Sequence, residues 1–242
     1  MNTNLFMALW LMLLTYCSSC EKQKIEYQHD DFQITINTGE NWLHDFDLFL
    51  GLKKKNPPQF AIWLEDTKGN YLSSVYVTNK IANEGWIANK GNRRKEALPH
   101  WSYKRGVMED DGLYLPTKDN PVTDGISGAT PVSNKEILLR INPETDSVVI
   151  KAEFNHSTDF NEFFPENAKE GDPNYSGGKM GSGQPAIVYA DTLILNQENI
   201  HHSLKIIGHS SPDGSDGNIH NDLSTLTTAL TIVDSISVNI IK

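Results

Sequence analysis

Phe60 to Thr78 reads FAIWLEDTKGNYLSSVYVT, and this stretch decides the fold. FAIWLE is a nearly continuous apolar run with the aromatic and β-branched character of a strand. Thr67-Lys68-Gly69-Asn70 then supplies turn chemistry, and YLSSVYVT resumes with Val and Tyr. The three parts together predict a β-hairpin. Working outward, FQITIN places Phe32, Ile34 and Ile36 on one face of a half-buried strand. Further strands are expected at Glu136–Ile141, Ser147–Phe154, Ala186–Leu195, Ser203–His209 and Ala229–Ile241, with NPETD (Asn142 to Asp146) as a turn. The segment Asn83 to Gly106 departs from this pattern. Ala97, Trp101 and Lys104 or Arg105 recur there at helical spacing, and Pro99 inside the segment limits it to a short or broken helix. The sum is an all-β chain, an antiparallel β-sandwich of immunoglobulin-like type with one short helical insertion. The loop Asn155–Ser182 is unusually long for a compact domain, so it is expected to be mobile, functional, or a boundary between two β layers of one domain.

The first residues are not part of that fold. MNTN, the apolar run Leu5 to Leu14 and TYCSSC (Thr15 to Cys20) follow the order of a secretory signal. Ser18-Ser19-Cys20 resembles the bacterial lipoprotein box, in which the cysteine is lipidated and becomes the new N-terminus. Residues 1–19 are then a lipoprotein signal peptide, 20–30 a polar tether, and 31–242 a single β-sandwich domain. An ordinary secretory signal cut nearby is the alternative, and either exports the chain to the cell envelope, periplasm or outer membrane. On the lipoprotein reading Cys17 leaves with the signal and Cys20 carries lipid. With two cysteines in all, disulfides, thiolate catalysis and Cys-ligated zinc are then excluded. The lipid on Cys20 would hold the body at a membrane. A net charge of −10 argues against a nucleic-acid partner, which needs a basic face. Lys53-Lys54-Lys55 and Arg93-Arg94-Lys95 are short basic runs of the kind solvated loops carry.

The stretch PVTDGISGATPVS (Pro121 to Ser133) raises the functional question. As backbone it is a tight, exposed loop: Gly125 and Gly128 permit positive φ, Asp124 can bond back to its turn, and Pro131 keeps Thr130 extended. As a motif, Asp124, Ser127, Gly128, Ala129 and Thr130 resemble the D-x-x-S/T-G-A-T/S sequence on which bacterial flavin transferases place flavin mononucleotide (FMN). That resemblance implies a phosphoester between the Thr130 hydroxyl and the flavin phosphate, installed from FAD by a magnesium-dependent transferase. In the FMN-binding domain a helix usually follows the motif, whereas here the strand EILLRI follows. The whole chain looks like the envelope proteins of domain of unknown function family 2271. Three blocks carry the likeness: FAIWLEDTKGNY with VYVT, the insertion from Gly85-Trp86 through Arg93-Arg94 to Trp101, and PVTDGISGATP. Such proteins often accompany flavin transferases and membrane proteins of the PepSY type, which the resemblance therefore implies as partners.

Other constellations are weaker. His201, His202, His209 and His220 invite a metal, but no carboxylate completes a ligand spacing, so satisfied or exposed histidines are expected. Asp213, Asp216 and Asp222 in SSPDGSDGNIHND lack the order of a calcium loop and suggest a tight turn. Trp63 belongs to the core. Trp86 and Trp101 flank the basic insertion and are surface candidates for a flavin face, with Arg93 or Arg94 to offset phosphate charge. No Gly-x-Ser-x-Gly elbow, His-Glu-x-x-His or paired-carboxylate motif appears, which argues against a self-contained hydrolase. Two readings stay open: a covalently flavinylated electron carrier with FMN on Thr130, and a non-catalytic binding or accessory lipoprotein whose DGISGAT is structural.

Overall fold

The computed structural model describes residues 31–47, 53–86, 93–140, 146–195 and 201–241. The expected signal, Cys20 and the tether lie outside the described residues, as do residues 142–145 of the NPETD turn. The chain is mostly β, with 38% strand and 10% helix, and its sheets are mainly antiparallel. Among the described residues no helix is long and apolar enough to cross a membrane.

The hairpin forms as the sequence suggests. β4 (Gln59–Glu65) pairs antiparallel with β5 (Tyr71–Thr78). Between them the Asp66 carboxylate accepts the backbone amides of Lys68 and Asn70, each at 2.8 Å, and Gly69 takes the positive φ of 84° that the turn requires. β4 lies inside a six-stranded sheet, flanked on its other edge by β8 (Ser147–Asn155), then β9 (Ile187–Ile194) and β11 (Lys205–His209). β5 carries on its outer side β6 (Ile126–Gly128), a parallel pair. A four-stranded sheet holds β10 (His201–Ser203), β12 (Val233–Ile241), β1 (Asp31–Thr38) and β7 (Lys135–Arg140), in that order. β2 (His44–Asp47) and β3 (Lys53–Asn56) form a separate hairpin.

One apolar cluster draws on both larger sheets. Ile34 and Ile36 of β1 and Ile236 of β12 join Phe60 and Ile62 of β4 and Phe154 of β8. The opposite face of the six-stranded sheet is covered by the stretch between β5 and β6. There α1 (Asn79–Ala82), α2 (Pro99–Arg105) and Leu98 just before α2 place Ile81, Leu98 and Trp101 against Ala61, Trp63 and Val77. β4 is therefore buried on both faces, which is why FAIWLE lacks alternation.

Several expectations need adjusting. The helix is short, as expected, with 7 residues, but Pro99 limits it by position: it opens α2 at the first helical position, where its missing N–H costs nothing. The expected strand Ser203–His209 is divided: β10 pairs in the four-stranded sheet, β11 in the six-stranded one, and the chain crosses between them at buried Leu204. Ala229 lies in a short 3-10 turn before β12. The triple lysine is on β3, where Lys55 pairs with Asp45 at 2.7 Å. The long loop closes on itself, because the amides of Thr158 and Asp159 donate to the carbonyls of Gly181 and Ser182, each at 2.8 Å.

Candidate functional site

DGISGAT is not a free loop. Ile126, Ser127 and Gly128 form edge strand β6, with Tyr76 opposite Ile126 and Thr78 opposite Gly128. Asp124 anchors its start: one carboxylate oxygen accepts the Tyr71 hydroxyl at 2.5 Å and the Ser74 amide at 3.2 Å. Gly125 faces Ser74 so closely that a Cβ would stand 2.8 Å from the Ser74 Cβ and 2.9 Å from its carbonyl oxygen. At Gly128 a Cβ would stand 2.8 Å from the Tyr76 hydroxyl, which itself donates to the Ala129 carbonyl at 3.1 Å. These three residues have packing reasons to be what they are.

The hydroxyls of the motif have no such reason. Ser127 and Ala129 are exposed, and Thr130 is half-buried. Thr130 Oγ1 accepts one long bond, 3.4 Å from Nε2 of Gln59, the first residue of β4. Its own proton reaches no acceptor among the described residues. Gln59 is buried, and its other amide atom, Oε1, has no partner. A buried amide oxygen left unpaired is costly and uncommon in a folded protein. Exposed apolar side chains stand near the motif: Ile126 is 58% and Val132 69% exposed.

A basic and aromatic cluster gathers on the stretch that follows β5. Lys80 Nζ is 5.8 Å from the ring centroid of Trp86, and the Arg94 guanidinium is 4.7 Å from it. Burial lowers the pKa of Lys80 below the ordinary lysine value, and the positive charges of Lys54 and Arg94 lower it further.

The structure corrects the assignment of phosphate-facing groups and of one tryptophan. Arg93 is bound to Glu84 at 2.9 Å, to Asp111 and to the Leu115 carbonyl. Arg94 is buried, with Glu96 at 2.7 Å and the Ser157 hydroxyl at 3.1 Å. Both are committed within the fold. Trp101 is fully buried, its indole N–H donating to Ser74 at 3.1 Å, and offers no surface. Trp86 is half-buried, and Trp63 is core as expected.

Sequence reasoning missed a buried polar layer between the six-stranded sheet and α2. Glu65 accepts Trp63 Nε1 at 2.8 Å and pairs with Lys151 at 3.0 Å. His100 Nδ1 donates to the Gly217 carbonyl at 2.6 Å, which leaves Nε2 as acceptor for Lys151 at 3.3 Å. Burial holds that ring neutral, with a pKa lowered to about 4. Glu153 accepts the amides of His100 at 3.2 Å and Trp101 at 2.8 Å, so β8 caps the first turn of α2. Burial raises Glu153 to about 7. The signal was present in KAEFN, where polar residues alternate with apolar ones, but that face reads as solvent.

A second buried group joins β2 to the long loop. His44 Nε2 contacts the Thr158 carbonyl at 3.2 Å, His156 Nε2 contacts the Asn41 carbonyl at 2.8 Å, and Thr228 donates to Asp159 at 2.6 Å. Elsewhere, His202 pairs with Asp191 at 2.9 Å, His201 with Asn239 at 2.7 Å, and His209 stacks on His220. Asp213, Asp216 and Asp222 each accept a backbone amide two residues on, from Ser215, Asn218 and Ser224, which makes them turn residues. Among the described residues no three His, Cys, Asp or Glu side chains are grouped to hold a metal ion.

Compared with known proteins, the chain matches no protein-family model, no curated protein and no solved structure.

Proposed function

We propose that the protein is an exported, lipid-anchored component of the cell envelope that carries FMN covalently on Thr130 and passes electrons. One observation carries the reading. Within DGISGAT the fold explains Asp124, Gly125 and Gly128, yet leaves the Thr130 hydroxyl half-exposed, weakly held and next to an unpartnered buried amide oxygen. The residues fit the group. A threonine oxygen can displace adenylate from the flavin-side phosphorus of FAD, AMP leaves, and the hydroxyl proton passes to the transferase. The isoalloxazine would supply the redox chemistry, and this chain would attach, orient and partly cover it. Ile126 and Val132 offer apolar surface for that purpose.

Export through residues 1–19, lipidation at Cys20, a flavin transferase and a PepSY-type redox partner belong to the same proposal, as does membership of family 2271. They rest on the motif and the N-terminal sequence, without a matching family model. The immunoglobulin-like sandwich is likewise a proposal, supported by the apolar cluster that the two larger sheets share. A second reading, an accessory lipoprotein with a structural turn, is favoured by the packing roles of Asp124, Gly125 and Gly128.

The test is intact mass after denaturation, following co-expression with a bacterial flavin transferase shown to be active on a control substrate. The expected result is a gain of one FMN less one water, absent in Thr130→Ala and retained in Thr130→Ser. No adduct on the wild-type chain would leave the second reading in possession.

A further inference from the structure

Thr130 is held from three directions by residues distant in sequence. The Tyr76 hydroxyl on β5 donates to the Ala129 carbonyl at 3.1 Å, and the Trp42 indole N–H donates to the Pro131 carbonyl at 3.0 Å. Both rings belong to the apolar cluster that the two larger sheets share. Tyr76 stacks on Phe60 with centroids 5.2 Å apart, and Trp42 is tilted against the same ring at 6.2 Å. The backbone on either side of Thr130 is therefore tied to the core.

The third tie is to the side chain itself. Gln59 Nε2 stands 3.4 Å from Thr130 Oγ1, and Gln59 opens β4, where the amide of Phe60 donates to the Thr78 hydroxyl at 3.2 Å. Gln59 is 3% exposed, and Thr130 is the one polar partner of its side chain among the described residues. Its Oε1 is buried without a partner, a cost that a leucine of similar size would not carry. Stability alone thus gives no reason for glutamine here. By contrast, Ser127 and Ser133 are exposed and make no side-chain hydrogen bond among the described residues.

The arrangement suits a hydroxyl that is to react. A threonine is stiff at χ1, and a fixed donor beside Oγ1 selects the rotamer that is kept. With Nε2 on one lone pair, the proton and the other lone pair face away from Gln59. A contact of 3.4 Å is a weak bond, so it orients the oxygen without masking it.

We propose that Gln59 is the positioning residue for the Thr130 hydroxyl, with Tyr76 and Trp42 holding the backbone on which that contact depends. This rests on the reading of Thr130 as the attachment point. In the attachment step the bond from Oγ1 to the flavin-side phosphorus forms, the bond from that phosphorus to the departing AMP breaks, and the hydroxyl proton passes to a base of the transferase. Gln59 takes no proton. It sets the direction of Oγ1, and its Nε2 still finds an acceptor once that oxygen is an ester.

The experiment compares the exported wild-type chain with Gln59→Leu and Tyr76→Phe. Three-bond NMR couplings of Thr130 in the unmodified chain report its χ1. They should show one dominant rotamer in the wild type, averaging in Gln59→Leu, and partial averaging in Tyr76→Phe. Adduct formation by the transferase, followed by intact mass, should lose kcat roughly fivefold in Gln59→Leu with KM changed less than about twofold. The loss should be larger in a Thr130→Ser background, because serine lacks the methyl group that stiffens χ1. The urea midpoint of Gln59→Leu should equal or exceed that of the wild type.

Averaged couplings in the wild type, or couplings that neither substitution moves, would overturn the proposal. A lowered urea midpoint with an equal loss of rate in both backgrounds would also overturn it, by making Gln59 a residue of the fold. An adduct formed as fast on Gln59→Leu as on the wild type would reject the positioning and keep Thr130 as attachment point. No adduct on any chain, with the transferase active on its control, would reject the attachment reading and the positioning with it.

Discussion

Replacing Glu153 with Gln should alter the pH dependence of stability more than it alters the fold. Glu153 is fully buried on β8 and accepts two backbone amides at the start of α2. Burial raises its pKa from 4.5 to about 7. Between those values the folded chain keeps a proton that the unfolded chain has released. Stability therefore falls as pH rises through that window, is fully present below it, and levels off above it. The span corresponds to about 3 kcal/mol.

His100 and His156 oppose this. Burial lowers each from 6.5 to about 4, so the folded chain lacks protons that the unfolded chain binds, and stability rises with pH across that interval. The wild-type curve mixes both slopes and is uninformative alone. The difference between wild type and Glu153→Gln isolates the carboxyl, because the histidines are common to both. Gln conserves shape but turns its NH₂ toward one of the two amides, a pH-independent cost of roughly 1–3 kcal/mol. Urea unfolding at about pH 4.5 and about pH 8 gives the two gaps. The wild-type advantage should shrink by about 3 kcal/mol between them. A constant gap would refute the reasoning. A widening gap would mean that the two amides stabilise the carboxylate more than burial penalises it.

Two further substitutions test the packing. Gly125→Ala should destabilise by about 1–3 kcal/mol, because the new Cβ meets the Ser74 backbone rather than a movable side-chain tip; urea midpoints measure it, and a change below about 0.5 kcal/mol would contradict the close approach of Gly125 to Ser74. Trp101→Ala should cost about 3–5 kcal/mol, since the ring is fully buried against Trp63 and its neighbours; a loss below about 1 kcal/mol would place Trp101 at the surface, as its sequence context suggested.

How far the sequence discloses this protein depends on which cause shapes each residue. Where the cause is local, the pattern is legible: the alternation of FQITIN, the turn at Asp66 to Asn70, and the doubly buried run FAIWLE all read correctly. Alternation identifies two faces of a strand but not what covers them. Lys151 and Glu153 share the polar face of β8 and read as solvated, yet α2, far away in sequence, lies over them and makes that face a buried polar layer. The same limit hid Trp101, whose neighbours are basic while its ring turns inward. The candidate site divides along this line. The letters of DGISGAT are visible in sequence, and their ambiguity between turn and attachment site is real, because the fold uses some of them and leaves others unexplained. DGISGAT is tied to the sheet through a parallel pairing between β5 and a three-residue strand that itself reads as a loop. The hydroxyl of Thr130 comes from the motif, but its placement against Gln59 comes from topology. A motif search finds the threonine and misses the buried amide that stands against it.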